Sequence, residues 1–139
     1  MASIKARKGN PFERLVAYNL RLLNFDVDRI DDNTKGIDII AKNPLVTYVI
    51  ECKFHKRFSW NEIKKIFEKT KKETELKFGN SFFIIPIFVF KSNQQPILVA
   101  FEYEDDSNMY VCTFQAFFGL SKDWQIKKIP KGYKVWKNK

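Results

Sequence analysis

Cysteine and histidine are scarce in this chain, two and one in 139 residues. Cys52 and Cys112 each sit inside an apolar, strand-like segment with no CxxC spacing, which points to buried free thiols and away from a zinc site or a disulfide framework. Long hydrophobic runs are missing as well. The longest, Phe82 to Phe90, is broken by Pro86 and falls far short of the roughly 20 residues that span a bilayer. No signal peptide opens the chain, so the expectation is an intracellular, cytoplasmic protein with no membrane-spanning helix. Glycine and proline number five each and nowhere gather into a linker, and no repeat is visible. Negative charge is the last shortage, with 16 Asp and Glu against 25 Lys and Arg for a net charge of +9. Such a surface attracts polyanions. Without a basic amphipathic helix of broad apolar face, nucleic acid fits it better than a membrane.

What the chain does have is apolar and aromatic side chains, 45% and 16% of residues, ample for one packed core. We expect a single domain over 1–139, with a basic arm at 1–9 and a basic tail at 125–139. The spacing predicts a helix over 10–25, with Asn10 as N-cap, Pro11 at the first helical position, and Phe12, Val16, Leu20 and Leu23 on one face. A brief strand around Val27 and a polar loop follow. Two strand-like runs then flank a turn at Asn43 and Pro44. Ser59 and Glu62 form a capping-box pattern before a second helix from about Trp60 to Lys77. Its inner stripe is Ile63, Ile66, Phe67, Thr70 and Thr74, its other faces are rich in lysine, and Gly79 is placed to end it.

Ser81 to Phe90 is apolar on both faces, like a strand covered on each side, and Pro86 within it calls for a bulge or for a neighbour on one side only. Pro96–Glu104 and Met109–Phe114 read as a hairpin turning at Asp105–Asn108, and Gln115–Trp124 as a short helix. The apolar Phe82–Phe90 and Ala116–Leu120 segments suit either a core or a subunit interface. Tyr133 and Trp136 are expected to dock the tail onto the body. The element order predicts an α/β domain with one mixed sheet flanked by helices.

Three charges stand out in the two strand-like runs, "KGIDIIAKNPLVTYVIECKF" from Lys35 to Phe54. Glu51 and Lys53 are two apart and so share one face of an extended strand, while Ile50, Cys52 and Phe54 share the other. A hairpin folded at the Pro44–Leu45 bond sets Asp38 opposite Glu51. Directly opposed Cβ atoms stand about 4.5–5.5 Å apart, and like charges there repel. Lys53 answers part of that repulsion. Two convergent carboxylates also make an oxygen site suited to Mg²⁺ or Mn²⁺, which would polarise a phosphodiester and activate water while Lys53 orients the nucleophile or balances charge on the phosphorane. The competing reading is an ordinary solvated sheet face with a Glu51–Lys53 ion pair.

The same residues resemble the PD-(D/E)xK nuclease superfamily, with "GIDII" in the place of the first aspartate motif and "IECK" as a complete second motif. "KARKGNPFERLV" is similar to the basic, glycine-containing entry and "ER" pair that open the first helix of archaeal Holliday-junction resolvases. The likeness implies a restriction-endonuclease-like fold and a homodimer that makes paired cuts in four-way DNA junctions. It implies Asp38, Glu51 and the helix-borne Glu13 as metal ligands and Lys53 as the catalytic lysine. Glu13 equally fits a capping box with Asn10. The likeness further assigns Lys5, Arg7 and Lys8 to DNA phosphates, and Thr34, with Asn33 beside it, to the place of a loop serine that assists cleavage; Thr34 and Lys35 are expected to touch DNA. Gly36 and Ile37 stand where a proline is usual, and Phe54 where relatives often carry a small hydroxyl. His55, Lys56 and Arg57, in a basic aromatic loop after the lysine, are expected to touch DNA. Two alternatives remain open: an endonuclease acting on duplex, flap or single-stranded DNA, and a non-catalytic DNA-binding module of the same fold.

Overall fold

A computed structural model of the chain describes residues 10–30, 36–103, 106–119 and 136–137. The first helix, α1 (Asn10–Leu22), buries Phe12, Val16, Ala17 and Leu20 along one stripe. It stops earlier than its apolar pattern suggests, before Leu23. Asn24 adopts a left-handed φ of 71°; its N–H donates to the Arg21 carbonyl (2.9 Å) and the Phe25 N–H to the Leu20 carbonyl (3.1 Å). This is a Schellman ending, with Asn24 in the position usually held by glycine and Phe25 packed back into the same core as Leu20.

Six strands then follow in spatial order as in sequence: β1 (Asp26–Arg29), β2 (Ile39–Lys42), β3 (Thr47–Phe54), β4 (Ile84–Lys91), β5 (Leu98–Tyr103) and β6 (Asp106–Thr113). A two-residue strand, β7 (Trp136–Lys137), adds to the edge beside Tyr110 and Val111 of β6. Of the basic tail, Trp136 and Lys137 are described, joined to the sheet as strand residues; Tyr133 lies outside the described residues. The β3–β4 pair is parallel and the others antiparallel, so the sheet is mixed. The parallel pair needs a crossover, which α2 (Trp60–Phe78) supplies. Both bonds of the Ser59–Glu62 capping box are made, and Gly79 ends the helix at φ 73°. Its buried stripe is Ile63, Phe67, Thr70 and Thr74, and each buried threonine hydroxyl donates to the carbonyl four residues back. Among the described residues no helix is long and apolar enough to cross a membrane.

Helices cover both faces of this single α/β sheet. On one, α1 and a short helix, α3 (Phe114–Phe118), pack with Ile39, Ile50, Ile87, Val89, Val99 and Phe101; on the other, Ile63 and Phe67 of α2 pack with Phe88, Phe90, Ala100 and Val111. β4 thus presents buried side chains to both sides. Pro86 sits opposite Val49 of β3, while β5 joins β4 only from Phe88 onward. Pro86 thus precedes the first β4–β5 pair, so it is paired on its β3 side only, the second of the two solutions the sequence allows. Ile87 to Phe90, Ala116 and Phe117 are core, whereas Phe82 and Phe83 are 90% and 67% exposed. The last hairpin departs from expectation: β6 begins at Asp106, so Asn108 belongs to the strand, and the register shifts at Glu102 and Tyr103.

Candidate active site

The β2–β3 hairpin sets the geometry. Asn43 Oδ1 accepts from the N–H groups of Leu45 and Val46 (2.8 Å each), and the Asn43 N–H donates to the Val46 carbonyl (2.9 Å), closing the turn around Pro44. Lys42 then faces Thr47 and Ile39 faces Ile50. One further step along each strand brings Asp38 beside Glu51, as the sequence register predicts. β2 ends there. Asp38 still anchors the ladder with its N–H on the Ile50 carbonyl (2.7 Å), and its carboxylate oxygen Oδ2 replaces a backbone acceptor for the Cys52 N–H (2.8 Å). A charge-assisted bond of this kind holds a carboxylate in a fixed position.

Just before Asp38, Gly36 turns the chain at φ 83° directly under α2. A Cβ at that position would meet Glu73 Cγ at 3.2 Å. Only a residue without a side chain combines that backbone with so close an approach.

Glu51 and Lys53 lie beside Phe88 and Phe90 in the parallel register, and so on the α2 side of the sheet, while Tyr48 and Ile50 join the α1 core. Glu51 is 7% exposed. Its Oε2 stands 3.5 Å from Lys53 Nζ, and among the described residues no donor reaches its buried Oε1. Burial first, then the charge of Asp38 and a hydrogen bond to it, push the Glu51 carboxyl up to about 8, against the lowering pull of Lys53. The Glu51 carboxyl thus holds its proton well above the ordinary carboxylate range, first through burial and then through its acidic neighbour. Asp38 and Glu51 are the side chains that could share a cation, and an all-oxygen pair suits a hard divalent ion.

Glu13 is buried on α1, and its Oε1 accepts from Arg29 Nε at 3.1 Å. The two come from the α1 side, since Arg29 shares its strand face with buried Val27. Glu13, Asp38, Glu51 and Arg29 all act on the Cys52 thiol, whose pKa is raised by burial above all and then by the three acids, and lowered by Arg29. Three acids therefore approach one strand end. Among the described residues, however, no group of three or more His, Cys, Asp or Glu side chains converges on one ion position. The structure brings Asp38, Glu51 and Lys53 together and gives Glu13 to Arg29.

Comparison with known proteins adds a likeness to solved structures. No family model matches the chain, and no curated protein does. Among solved structures, the chain is similar to Hjc, a Holliday junction resolvase from the archaeal hyperthermophile Archaeoglobus fulgidus, at 22% identity and a TM-score of 0.48, over 66% of this chain and 70% of that one.

The loop after β3 leaves His55, Lys56 and Arg57 exposed, with the His55 ring stacked on Phe58 at 4.6 Å. Lys5, Arg7, Lys8, Thr34 and Lys35 lie outside the described residues. Arg29 and Lys91 are the residues that sequence reasoning passed over. Arg29 carried a signal in its spacing from Val27, which puts an arginine on the buried face and so requires an acid partner. Lys91 carried none, because only the parallel register brings it beside Phe54.

Proposed function

We propose that this protein is a divalent-metal-dependent DNA endonuclease, and that its preferred substrate is a four-way junction, cut by a homodimer through paired phosphodiester hydrolysis. The observation that carries the nuclease reading is the Asp38–Glu51 acid pair with its unmatched, buried Glu51 Oε1 and Lys53 Nζ at 3.5 Å. A buried carboxylate oxygen without a donor is costly, and an ordinary solvated sheet face would not retain it. The junction and homodimer reading rests on the motif likeness from Lys5 to Lys53.

Asp38 and Glu51 would hold Mg²⁺ or Mn²⁺, with Glu13 as the further acid of the site. When bound, the ion supplies Lewis-acid polarisation of the phosphodiester and a water of lowered pKa. The chain does the positioning. Asp38 is fixed by the Cys52 N–H, and Glu51 by β3. Lys53, 39% exposed at its side chain, is open to the incoming strand. Its ammonium orients the attacking water and balances the negative charge that grows on the phosphorane. The water oxygen bonds to phosphorus, one P–O ester bond breaks, and the departing alkoxide takes up a proton. His55, Lys56 and Arg57 follow Lys53 and would grip backbone phosphates, as would Lys5, Arg7, Lys8 and Lys35, and Thr34 would take the part of the loop serine that the motif likeness gives it.

The deciding experiment incubates the protein with labelled four-way junction and linear duplex, with Mg²⁺ and with EDTA. Symmetric paired nicks in the junction alone, abolished by EDTA, are expected. Equal cutting of duplex removes the junction specificity. No cutting of either DNA under Mg²⁺ or Mn²⁺ removes the nuclease.

A further inference from the structure

On the α1 side of the sheet a cleft of about 650 Å³ opens between the start of α1 and the C-terminal end of β3, with Lys53 as the residue it shares with the acid site. That volume is typical of small-ligand sites, and apart from Lys53 its walls have no part in the metal chemistry. Its walls divide by type: Phe12, Leu15 and Phe54, with Pro11 and Cys52, offer apolar surface, Lys53, His55 and Lys91 line the rest, and among the described residues no carboxylate lines it. Leu15 is 45% and Phe54 48% exposed. The Phe54 ring is steadied edge-on by Phe12, with centroids 6.0 Å apart at 69°, and Lys91 Nζ stands 5.3 Å from its centre.

An aromatic ring and an aliphatic wall bind a nucleobase through its π face, and lysines beside them bind the phosphate that comes with it. The charge complementarity is that of a nucleotide. A base paired inside a duplex cannot reach such a ring, so it must leave the stack. The geometry points to this cleft as the receptor for one unstacked nucleotide of the DNA strand next to the scissile phosphate, its base against Phe54 and Leu15 and its phosphate on Lys91. This rests on the nuclease reading above and narrows its substrates to DNA that offers an unpaired nucleotide, as branch points, flaps and strand ends do. Phe54, in place of a small hydroxyl, then becomes a specificity determinant.

The test is binding, read by fluorescence anisotropy in EDTA so that it does not depend on cutting. The probes are a duplex carrying one extra unpaired deoxyadenosine and the same duplex with an abasic site at that nucleotide. The expected result is about tenfold tighter binding of the DNA that has the base. Phe54→Ala should bring the two within twofold, and Phe54→Trp should keep the preference. Lys91→Ala should weaken both DNAs alike. Equal binding of the two DNAs by the unaltered protein, or an undiminished preference in Phe54→Ala, overturns the assignment. A protein that discriminates but cuts nothing with Mg²⁺ loses the nuclease reading alone, and one that cuts but does not discriminate loses only the cleft.

Discussion

Replacing Glu51 by glutamine should stabilise the metal-free protein. The Glu51 carboxyl titrates near 4.5 when unperturbed and is pushed up to about 8 in the fold, by burial and then by Asp38. Between those values the folded state holds a proton that the unfolded chain has released. Stability therefore falls as pH rises through that window and levels off above it. At about 1.4 kcal/mol per pH unit over some three and a half units, the loss is at most about 5 kcal/mol. Glutamine carries no charge, and its amide can donate to the Asp38 carboxylate, so Glu51→Gln lacks this slope. In EDTA at pH 8 the variant should be more stable by about 1 kcal/mol or more, with the two proteins converging near pH 5. Urea denaturation followed by circular dichroism at half-unit pH steps measures both curves. Mg²⁺ should then reverse the order, because an ion that binds only the folded unaltered protein adds about 1.4 kcal/mol at tenfold its Kd. A Glu51→Gln protein less stable than its parent at pH 8 in EDTA, or one with an unchanged pH slope, would refute the claim that the acids repel.

Four other perturbations have defined outcomes. Lys53→Met should lower Mg²⁺-dependent cutting by about 10²–10³-fold and leave DNA binding in EDTA within a fewfold, as expected for a group that balances transition-state charge; single-turnover cleavage and anisotropy separate the two. Gly36→Ala should cost about 1–2 kcal/mol in urea denaturation, through its positive φ and the approach to Glu73. Lys56→Ala with Arg57→Ala should reduce the slope of log K against log salt for DNA binding by about 1.8, the release of two counterions. Neither thiol should react readily with Ellman's reagent at pH 8 until the protein unfolds, because burial pushes Cys112 up to about 12 and raises Cys52 as well.

The site was legible in the sequence wherever local rules fixed it. The Asn43-Pro44 turn and strand alternation are enough to set Asp38 against Glu51, because a one-residue slip would bury the wrong face of both strands. Pro86 likewise announced that β4 is paired on one side only at that position. The α1 ending was hidden because Leu22 and Leu23 extend the apolar pattern, and only the left-handed turn at Asn24, with two backbone bonds closing behind it, stops the helix. The Glu13–Arg29 pair was hidden for a different reason. It joins a helix to a strand 16 residues away, and the local capping-box pattern with Asn10 offered Glu13 a nearer role.

That pairing bears on how the site is held in the absence of metal. Cys52 senses the acids Glu13, Asp38 and Glu51 together with Arg29, so the end of β3 is a place where negative charge accumulates from both faces of the sheet. Arg29 answers Glu13 and the Cys52 N–H answers Asp38, each at hydrogen-bond distance. Glu51 is left with Lys53 at the longer 3.5 Å and with one oxygen that, among the described residues, no donor reaches. Folded proteins satisfy nearly every buried polar group, and local rules tend to break at functional sites. The deficit at Glu51 is therefore specific: two acids have their own donors, and the third is held in a position where a proton or a cation completes it.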